Sequence, residues 1–195
     1  MILMVVTNSI KSIIKNNVYV KKYRTKKGRN IHSMSYLVDG AITQSDCIKL
    51  GIAMESVTRD IIKHHSNLDD IKQTNKKGVR EKDHLFIDHA KKIVYYAEMK
   101  TNLCLDTEKC KSTEQKCKDI KLELEKIHDG YTVKSHLVGL RYPNHIDIPR
   151  IIQKKYENPI HSINEYFESL GVNVNFSNLD YSYFVNYVVE SMLRT

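Results

Sequence analysis

Residues 78–109 read GVREKDHLFIDHAKKIVYYAEMKTNLCLDTEK, and this stretch decides the fold that the chain can adopt. Apolar runs on either side of the polar segment 89–92 predict two strands joined by a turn, the first beginning near Asp83. Because side chains alternate across a strand, Glu98 and Lys100 are expected on one face. A carboxylate beside a lysine, with a second carboxylate one hairpin away, can hold a divalent cation and handle a water molecule. The hairpin is therefore the predicted active site.

Helical patterns flank this hairpin on both sides. A capped helix is predicted over about 45–65 and a longer one over about 106–128, since each begins with a capping residue and carries apolar residues at helical spacing. A further strand is predicted over 131–140. Two short helices, about 162–170 and 180–193, are expected to close the chain.

The first of these helices, over 45–65, carries a carboxylate in an unusual place. Its predicted buried stripe consists of Leu50, Met54, Val57 and Ile61. Glu55 instead shares a largely apolar flank with isoleucines, where an unpaired charge would be costly. Glu55 either pairs with Arg59, four residues on, or faces the active site. Both alternatives stay open.

The cysteines are predicted to be core residues. The four cysteines of the chain form no Cys-x-x-Cys pair. Two of them fall on the apolar stripe of the longer helix, which comprises Cys110, Thr113, Cys117, Ile120, Leu124 and Ile127. This placement favours reduced, buried thiols over metal ligands.

Charge is the informative feature of the composition. The 195 residues suit one domain, with a formal net charge of +8 and a pI near 9.2, which favours a polyanionic partner such as nucleic acid. We predict a single catalytic domain over 1–195, with a basic amino-terminal arm (about 1–44, opening on a helix over 3–16) and a carboxyl-terminal helical segment (about 150–195). No apolar run approaches the roughly 20 residues of a membrane span, so we expect a soluble, cytoplasmic protein without membrane contact.

The order helix, hairpin, helix, strand, with acids and lysine at the hairpin, resembles the core of the PD-(D/E)XK nuclease superfamily, most closely a small type II restriction endonuclease. The resemblance runs from Glu55 to about Leu140. It implies an α/β fold (α+β mixed) with a restriction-endonuclease-like core, in which helices flank a central mixed sheet. Lys82 stands where the motif usually has proline, and residues 74–82 offer only a short, charged candidate for the strand expected before Asp83.

The resemblance also implies the roles of the site residues. Asp83 is the first motif acid, Glu98 the second and Lys100 the lysine, while Asp88 is a rival for the first acid that would sit at the turn. Mg²⁺ is the implied cofactor. Its expected ligands are Asp83, Glu98, the backbone carbonyl of Met99 and Glu55.

The implied activity is magnesium-dependent, sequence-specific cleavage of double-stranded DNA to 5′-phosphate and 3′-hydroxyl ends, by a homodimer if the recognition site is palindromic. Arg, Lys, Asn and Gln are the side chains that contact phosphates and base edges. The predicted DNA contacts are Lys21, Lys22, Arg24, Lys26, Lys27, Arg29, Asn30, Gln44, Arg141 and Asn144.

Two alternatives to restriction remain at this stage. The chain is then either a basic DNA-binding module without catalysis, in which Glu98 and Lys100 form a surface pair, or a nuclease of the same fold that acts in repair or junction resolution. A histidine-metal nuclease built on His84 and His89 is disfavoured, because the long strand that carries Glu98 does not suit a finger-like hairpin and helix.

Overall fold

The computed structural model describes residues 2–17, 44–71, 80–101, 103 and 107–193. Its elements in chain order are α1 (Ile2–Asn17), α2 (Gln44–His65), β1 (Asp69–Asp70), β2 (His84–Asp88), β3 (Ile93–Lys100), α3 (Thr107–Ile127), β4 (Thr132–Gly139), a 3₁₀ helix (His145–Asp147), α4 (Arg150–Gln153), β5 (Ile160–His161), α5 (Ile163–Ser169) and α6 (Asn178–Leu193). They divide into two compact units. One contains α1, most of α2 and α6, and the other spans residues 62–175. The prediction of one catalytic domain over the whole chain stays a prediction.

The unit over 62–175 is built on a five-stranded sheet in the order β1-β2-β3-β4-β5. The pairs β1/β2 and β2/β3 are antiparallel, while β3/β4 and β4/β5 are parallel. The predicted mixed α/β architecture, a mixed sheet flanked by helices, is therefore confirmed. Both predicted hairpin strands, the strand after α3 and the polar turn are present within two residues of their expected bounds.

The turn between β2 and β3 sets the register of the hairpin. Asp88 accepts a hydrogen bond from the Lys91 N–H at 2.9 Å, and Lys92 adopts a positive φ of 53° that reverses the chain. The resulting register pairs His84 with Ala97 at the far end. This register fixes which side chains of the two strands share a face.

One face of the sheet packs against α3. The core of this α3 face comprises Leu85, Ile87, Val94, Tyr96, Ile120, Leu124 and Val133. The predicted stripe of α3 is buried at Cys110, Thr113, Ile120 and Leu124, and half-buried at Cys117. The prediction is wrong for Ile127, which is 63% exposed because α3 ends at this residue and has no further turn to cover it.

A buried carboxylate organises the connection into β5. Glu114 of α3 accepts hydrogen bonds from the backbone N–H groups of Glu157 at 2.8 Å and Asn158 at 2.9 Å. The sequence did not predict β5, because this strand has two residues and gains its structure by pairing with β4. Glu114 is therefore a structural anchor for the sheet edge.

The opposite face of the sheet packs against α5. Ser162 caps α5 by accepting a hydrogen bond from the Glu165 N–H, and the Glu165 carboxylate accepts one from the Ser162 N–H at 2.8 Å, a capping box. Tyr166 and Phe167 of this helix are fully buried. The predicted helix over 162–170 is confirmed.

The described part of the other unit is helical. Ile10, Ile13 and Ile14 of α1 are buried, and Asn17 donates to Asp60 of α2 at 2.9 Å. The predicted stripe of α2, formed by Leu50, Met54, Val57 and Ile61, is buried, which confirms it. The helix begins at Gln44, so Ser45 lies inside it and is not the cap that the sequence predicted.

In the described parts of the chain, no helix combines the length and the apolar character that crossing a membrane requires.

Candidate active site

Asp83 is held at the start of β2, beside the end of β3. Its Oδ2 accepts a hydrogen bond from the Met99 N–H at 2.6 Å. The preceding Lys82 has a buried side chain whose Nζ lies 3.0 Å from Glu123 of α3. Lys82 thus occupies the place of the expected proline and ties the entry of β2 to the helix. This anchor fixes where the Asp83 carboxylate lies.

The hairpin register brings Asp83, and not Asp88, to Glu98. His84 pairs with Ala97, so Asp83 lies opposite Glu98 and on the same face of the sheet. Asp88 lies at the other end of β2, opposite Ile93. The expected position of Asp88 at the turn is confirmed.

Glu98 is the centre of the cluster. It is 2% exposed, and its Oε1 lies 2.5 Å from Lys100 Nζ. The expected placement of Glu98 and Lys100 on one face is therefore confirmed. Its Oε2 accepts from Lys116 Nζ of α3 at 2.6 Å and from the Tyr96 hydroxyl at 3.0 Å. Three donors from two elements surround one carboxylate.

The two carboxyl groups respond to this environment in opposite directions. Burial acts to raise the pKa of Glu98, but the charges and hydrogen bonds of Lys100 and Lys116 outweigh burial, so the pKa of Glu98 lies below its ordinary value. The pKa of Asp83 is raised, first by burial and then by the negative charge of Glu98, and the Met99 N–H offsets only part of the rise. Two adjacent carboxylates with separated pKa values are typical of catalytic sites.

Two neighbours of Glu98 stay protonated at neutral pH. Burial, reinforced by the Glu98 charge, raises the pKa of Tyr96 far above its ordinary value. Burial also raises the pKa of the Cys117 thiol to about 11. Tyr96 therefore remains a hydrogen-bond donor to Glu98, and Cys117 is an unreactive thiol, as the core assignment predicted.

The donor set suits a hard cation. Asp83 and Glu98 offer carboxylate oxygens on one face, and the Met99 carbonyl belongs to the residue between Glu98 and Lys100. Within the described residues, no group of three or more His, Cys, Asp and Glu side chains is placed to bind a metal. Magnesium needs fewer protein ligands, since it binds through one or two carboxylates and keeps several waters. The residues present therefore fit Mg²⁺.

Several predicted site residues remain untested by the structure. Glu55 is half-buried on α2 and belongs to the other compact unit, so its role as a metal ligand stays a prediction. Its flank is buried only in part, because Ile48 and Ile52 are 57% and 51% exposed whereas Ile62 is fully buried. The predicted DNA contacts Lys21, Lys22, Arg24, Lys26, Lys27, Arg29 and Asn30 lie outside the described residues, as does the side chain of Gln44.

The two remaining DNA-contact candidates follow β4. Arg141 is exposed. Asn144 is engaged within the protein, since its Oδ1 accepts from Asn164 at 2.9 Å and its Nδ2 donates to Asp147 at 3.2 Å. Asn144 shapes the 3₁₀ helix that follows β4, and a base contact would have to replace these bonds.

Lys116 and Tyr96 are the site residues that the sequence reasoning missed. Lys116 lies three residues after Thr113 and four before Ile120, so helical spacing already placed it on the buried stripe of α3. A charged residue in such a position implies a buried partner. Tyr96 lies two residues before Glu98, and strand alternation places it on the same face.

Comparison of the chain with protein-family models, with curated proteins and with solved structures found no match.

Proposed function

We propose that this chain is a magnesium-dependent, sequence-specific endonuclease that cleaves double-stranded DNA, with a restriction-endonuclease-like core. The observation that carries the proposal is the pairing of Asp83 with Glu98 on one face of the β2–β3 hairpin, with Lys100 in contact with Glu98. A buried carboxylate next to a half-buried one is costly to stability, which favours a functional reason for its presence.

The order of the elements supports the same proposal. The short strand β1 precedes Asp83 and pairs antiparallel with β2, in the position where the resemblance requires a first core strand. After α3 the chain returns as β4, parallel to β3 and beside it. Helix, three antiparallel strands, helix and parallel strand is the arrangement that the resemblance implies.

The chemistry follows from the groups on the α3 face. Asp83, Glu98 and the Met99 carbonyl would hold Mg²⁺, which when bound lowers the pKa of a water ligand and neutralises charge on the scissile phosphate. Lys100 orients the attacking water and stabilises the negative charge that builds on the phosphorus oxygens. Its contact with Glu98 holds the ammonium group at the carboxylate pair before substrate arrives. Attack opposite the 3′ oxygen leaves 5′-phosphate and 3′-hydroxyl ends.

The test is cleavage of a supercoiled plasmid with and without Mg²⁺. Lys100→Ala and Asp83→Ala are expected to lower the cleavage rate by at least about a hundredfold, the usual cost of losing a general acid–base group or electrostatic stabiliser. Lys118→Ala is the matched control. Lys118 is an exposed lysine of α3, paired with Glu157, and its removal leaves the carboxylate pair intact.

Digestion of a known genome followed by sequencing of the ends identifies the recognition sequence and the cut position. Discrete fragments with common ends support restriction. DNA binding without cleavage, across Mg²⁺ and Mn²⁺, overturns the nuclease proposal in favour of a binding module. Cleavage confined to branched DNA identifies a junction-resolving nuclease of the same fold.

Palindromic sites call for a two-fold dimer, which we propose as the active form. The net charge of +8 supports a polyanionic partner. Sedimentation in the presence and absence of a DNA duplex measures the oligomeric state directly, and a monomer bound to its cleaved site would contradict the dimer.

A further inference from the structure

The two oxygens of Glu98 are not equivalent. A carboxylate offers about four lone-pair positions, two on each oxygen. On Oε2 both positions are used, one by Lys116 Nζ at 2.6 Å and one by the Tyr96 hydroxyl at 3.0 Å. On Oε1 the contact is with Lys100 Nζ at 2.5 Å, which uses one position. Counted over the residues that the structure describes, the open position of Glu98 is on Oε1.

We propose that Lys116 and Tyr96 are positioning residues that hold Oε2 of Glu98 and present Oε1 alone, beside Lys100, to a divalent cation. The inference rests on the proposed function only in taking the Asp83–Glu98 pair as a cation site. The positioning proposal concerns the selectivity of that site between cations, which neither the hairpin nor the order of the elements determines.

The two clamping residues come from rigid parts of the unit. Tyr96 lies on β3 and is fully buried in the core of the α3 face, so its ring cannot turn away from Glu98. Lys116 reaches across from α3 with a side chain that is 32% exposed. One donor is neutral and fixed, and the other is charged and more mobile. Together they restrict rotation of the Glu98 carboxylate.

A carboxylate with one open position binds a cation through a single oxygen. Mg²⁺ is small, demands near-octahedral geometry and suits such single-oxygen ligation, whereas Ca²⁺ accepts bidentate carboxylates and an irregular shell. Holding Oε2 therefore favours Mg²⁺ over Ca²⁺. Releasing Oε2 allows Glu98 to chelate with both oxygens, which benefits Ca²⁺ more than Mg²⁺.

Charge repulsion must be separated from positioning, because the Lys116 ammonium also repels any cation. Mg²⁺ and Ca²⁺ carry the same charge, so this repulsion largely cancels in the ratio of their affinities. Tyr96→Phe removes one hydrogen bond and changes no charge. The ratio of Ca²⁺ to Mg²⁺ affinity therefore reports the geometry of Glu98.

The experiment is calorimetric titration of the full chain, without DNA, with MgCl₂ and with CaCl₂. Tyr96→Phe is expected to weaken Mg²⁺ binding by about tenfold, the usual effect of removing a partner that orients a metal ligand. The ratio of Ca²⁺ to Mg²⁺ affinity is expected to rise by at least about threefold in Tyr96→Phe and in Lys116→Met. Lys116→Arg retains a donor to Oε2 and is expected to return the ratio toward that of the natural chain.

Lys118→Met is the control on the same helix, because Lys118 pairs with Glu157 and not with Glu98. Thermal unfolding of each variant checks that it is folded. Lys116→Met alters a partly exposed side chain, so this variant carries the test if Tyr96→Phe does not fold. A ratio that stays unchanged in the folded variants overturns the proposal, and so does a natural chain that binds neither ion. If the affinity ratio shifts but the chain cleaves no DNA, the nuclease proposal is wrong and the positioning proposal is supported.

Discussion

The two faces of the sheet bury polar clusters of opposite kinds. On the α3 face, Glu98 is surrounded by Lys100, Lys116 and Tyr96. On the α5 face, three imidazole rings form a cluster with Tyr166: His136 lies beside Tyr166, and His161 packs on His136 with ring centroids 4.7 Å apart. The third, His84, has its ring centroid 6.0 Å from that of Tyr166.

Burial has different outcomes at the two clusters because opposite charge outweighs it at Glu98 but does not at His136 and His161. Burial, then the neighbouring His161 and Lys134, lowers the pKa of His136 to about 3. Burial likewise lowers the pKa of His161. Within the described residues, the Nδ1 atoms of His136 and His161 have no hydrogen-bond partner. The α3 face therefore favours a charged carboxylate at Glu98, whereas the α5 face favours uncharged imidazoles at His136 and His161.

The largest expected effect comes from removing the charge at the centre of the α3 face. Glu98→Gln keeps the shape of the side chain but removes the buried negative charge that Lys100 and Lys116 contact. We expect a loss of about 3 kcal/mol in the free energy of unfolding, the low end for a broken buried pair, because both lysines are 32% exposed and can turn outward. Urea denaturation at pH 7 measures the loss.

Glu125→Gln is the control for this substitution. Glu125 pairs with Lys121 at 3.8 Å on the exposed side of α3, where such a pair contributes at most about 0.5 kcal/mol. Equal losses for the two variants would mean that the Glu98 cluster behaves as an ordinary surface pair.

The α5 face is expected to control how stability varies with pH. The unfolded chain takes up a proton at His136 below its ordinary pKa of 6.5, whereas the folded chain does so only near pH 3. The free energy of unfolding therefore falls as the pH drops below 6.5, by about 2 kcal/mol between pH 7 and pH 5 from His136. Glu98, whose pKa is lowered from 4.5, stabilises the fold above that value and loses this contribution only at lower pH.

Denaturation at several pH values separates the two faces. His136→Phe replaces the imidazole with a ring that does not titrate and is expected to remove the part of the slope between pH 7 and pH 5 that His136 contributes, leaving the part from His161. Glu98→Gln is expected to leave that slope intact. If His136→Phe leaves the slope of stability against pH unchanged, another group is responsible for that slope.

These clusters differ in how far the sequence predicted them. The alternation around the polar turn predicted the hairpin, and with it the shared face of Glu98 and Lys100. Lys116 required the packing of α3 on the sheet, although its helical spacing pointed inward. The short strands β1 and β5 form only because neighbouring strands offer them hydrogen bonds, so no local pattern marked them.

The histidine cluster lay beyond any local pattern. Its rings come from β2, β4 and β5, and Tyr166 comes from α5, so the cluster exists only once the sheet has closed and α5 has packed on it. The sequence reasoning weighed His84 as a metal ligand. The structure places its Nδ1 3.4 Å from the Tyr166 hydroxyl inside the core.

Tyr96 and Tyr166, one at each cluster, test the same contrast with a smaller expected effect on stability. Tyr96 donates to a carboxylate at 3.0 Å, whereas the Tyr166 hydroxyl lies 3.4 Å from the His84 imidazole, a longer contact. Hydrogen bonds to charged groups contribute about 1.5–3 kcal/mol and neutral ones about 1 kcal/mol. Tyr96→Phe is therefore expected to cost about 1 kcal/mol more than Tyr166→Phe in urea denaturation. Equal costs would contradict the distinction between the faces.

The smallest expected change in the free energy of unfolding is at Asp83, where substitution is expected to stabilise the fold. Burial and then the Glu98 charge raise the pKa of Asp83, so the folded chain holds this proton more tightly than the unfolded chain. Asp83 therefore stabilises the fold at low pH, and this contribution is lost as the pH rises from 3.8 through the raised pKa. Asp83→Asn is expected to increase the free energy of unfolding by up to about 1 kcal/mol at pH 7, since an amide oxygen still accepts from the Met99 N–H.

Substitution of Asp88, at the other end of β2, is expected to change stability in the opposite direction. The Lys91 N–H bonds its carboxylate and lowers its pKa, so Asp88 stabilises the fold above pH 3.8, and Asp88→Asn is expected to lower stability. The stability gain from Asp83→Asn should shrink as the pH approaches 4, where the natural carboxyl group is itself protonated. If Asp83→Asn stabilises the fold and also abolishes cleavage, the carboxylate of Asp83 has a catalytic role that outweighs its cost to stability. Loss of stability in both variants would instead indicate that Asp83 is a structural partner of Met99. That result would count against the nuclease proposal.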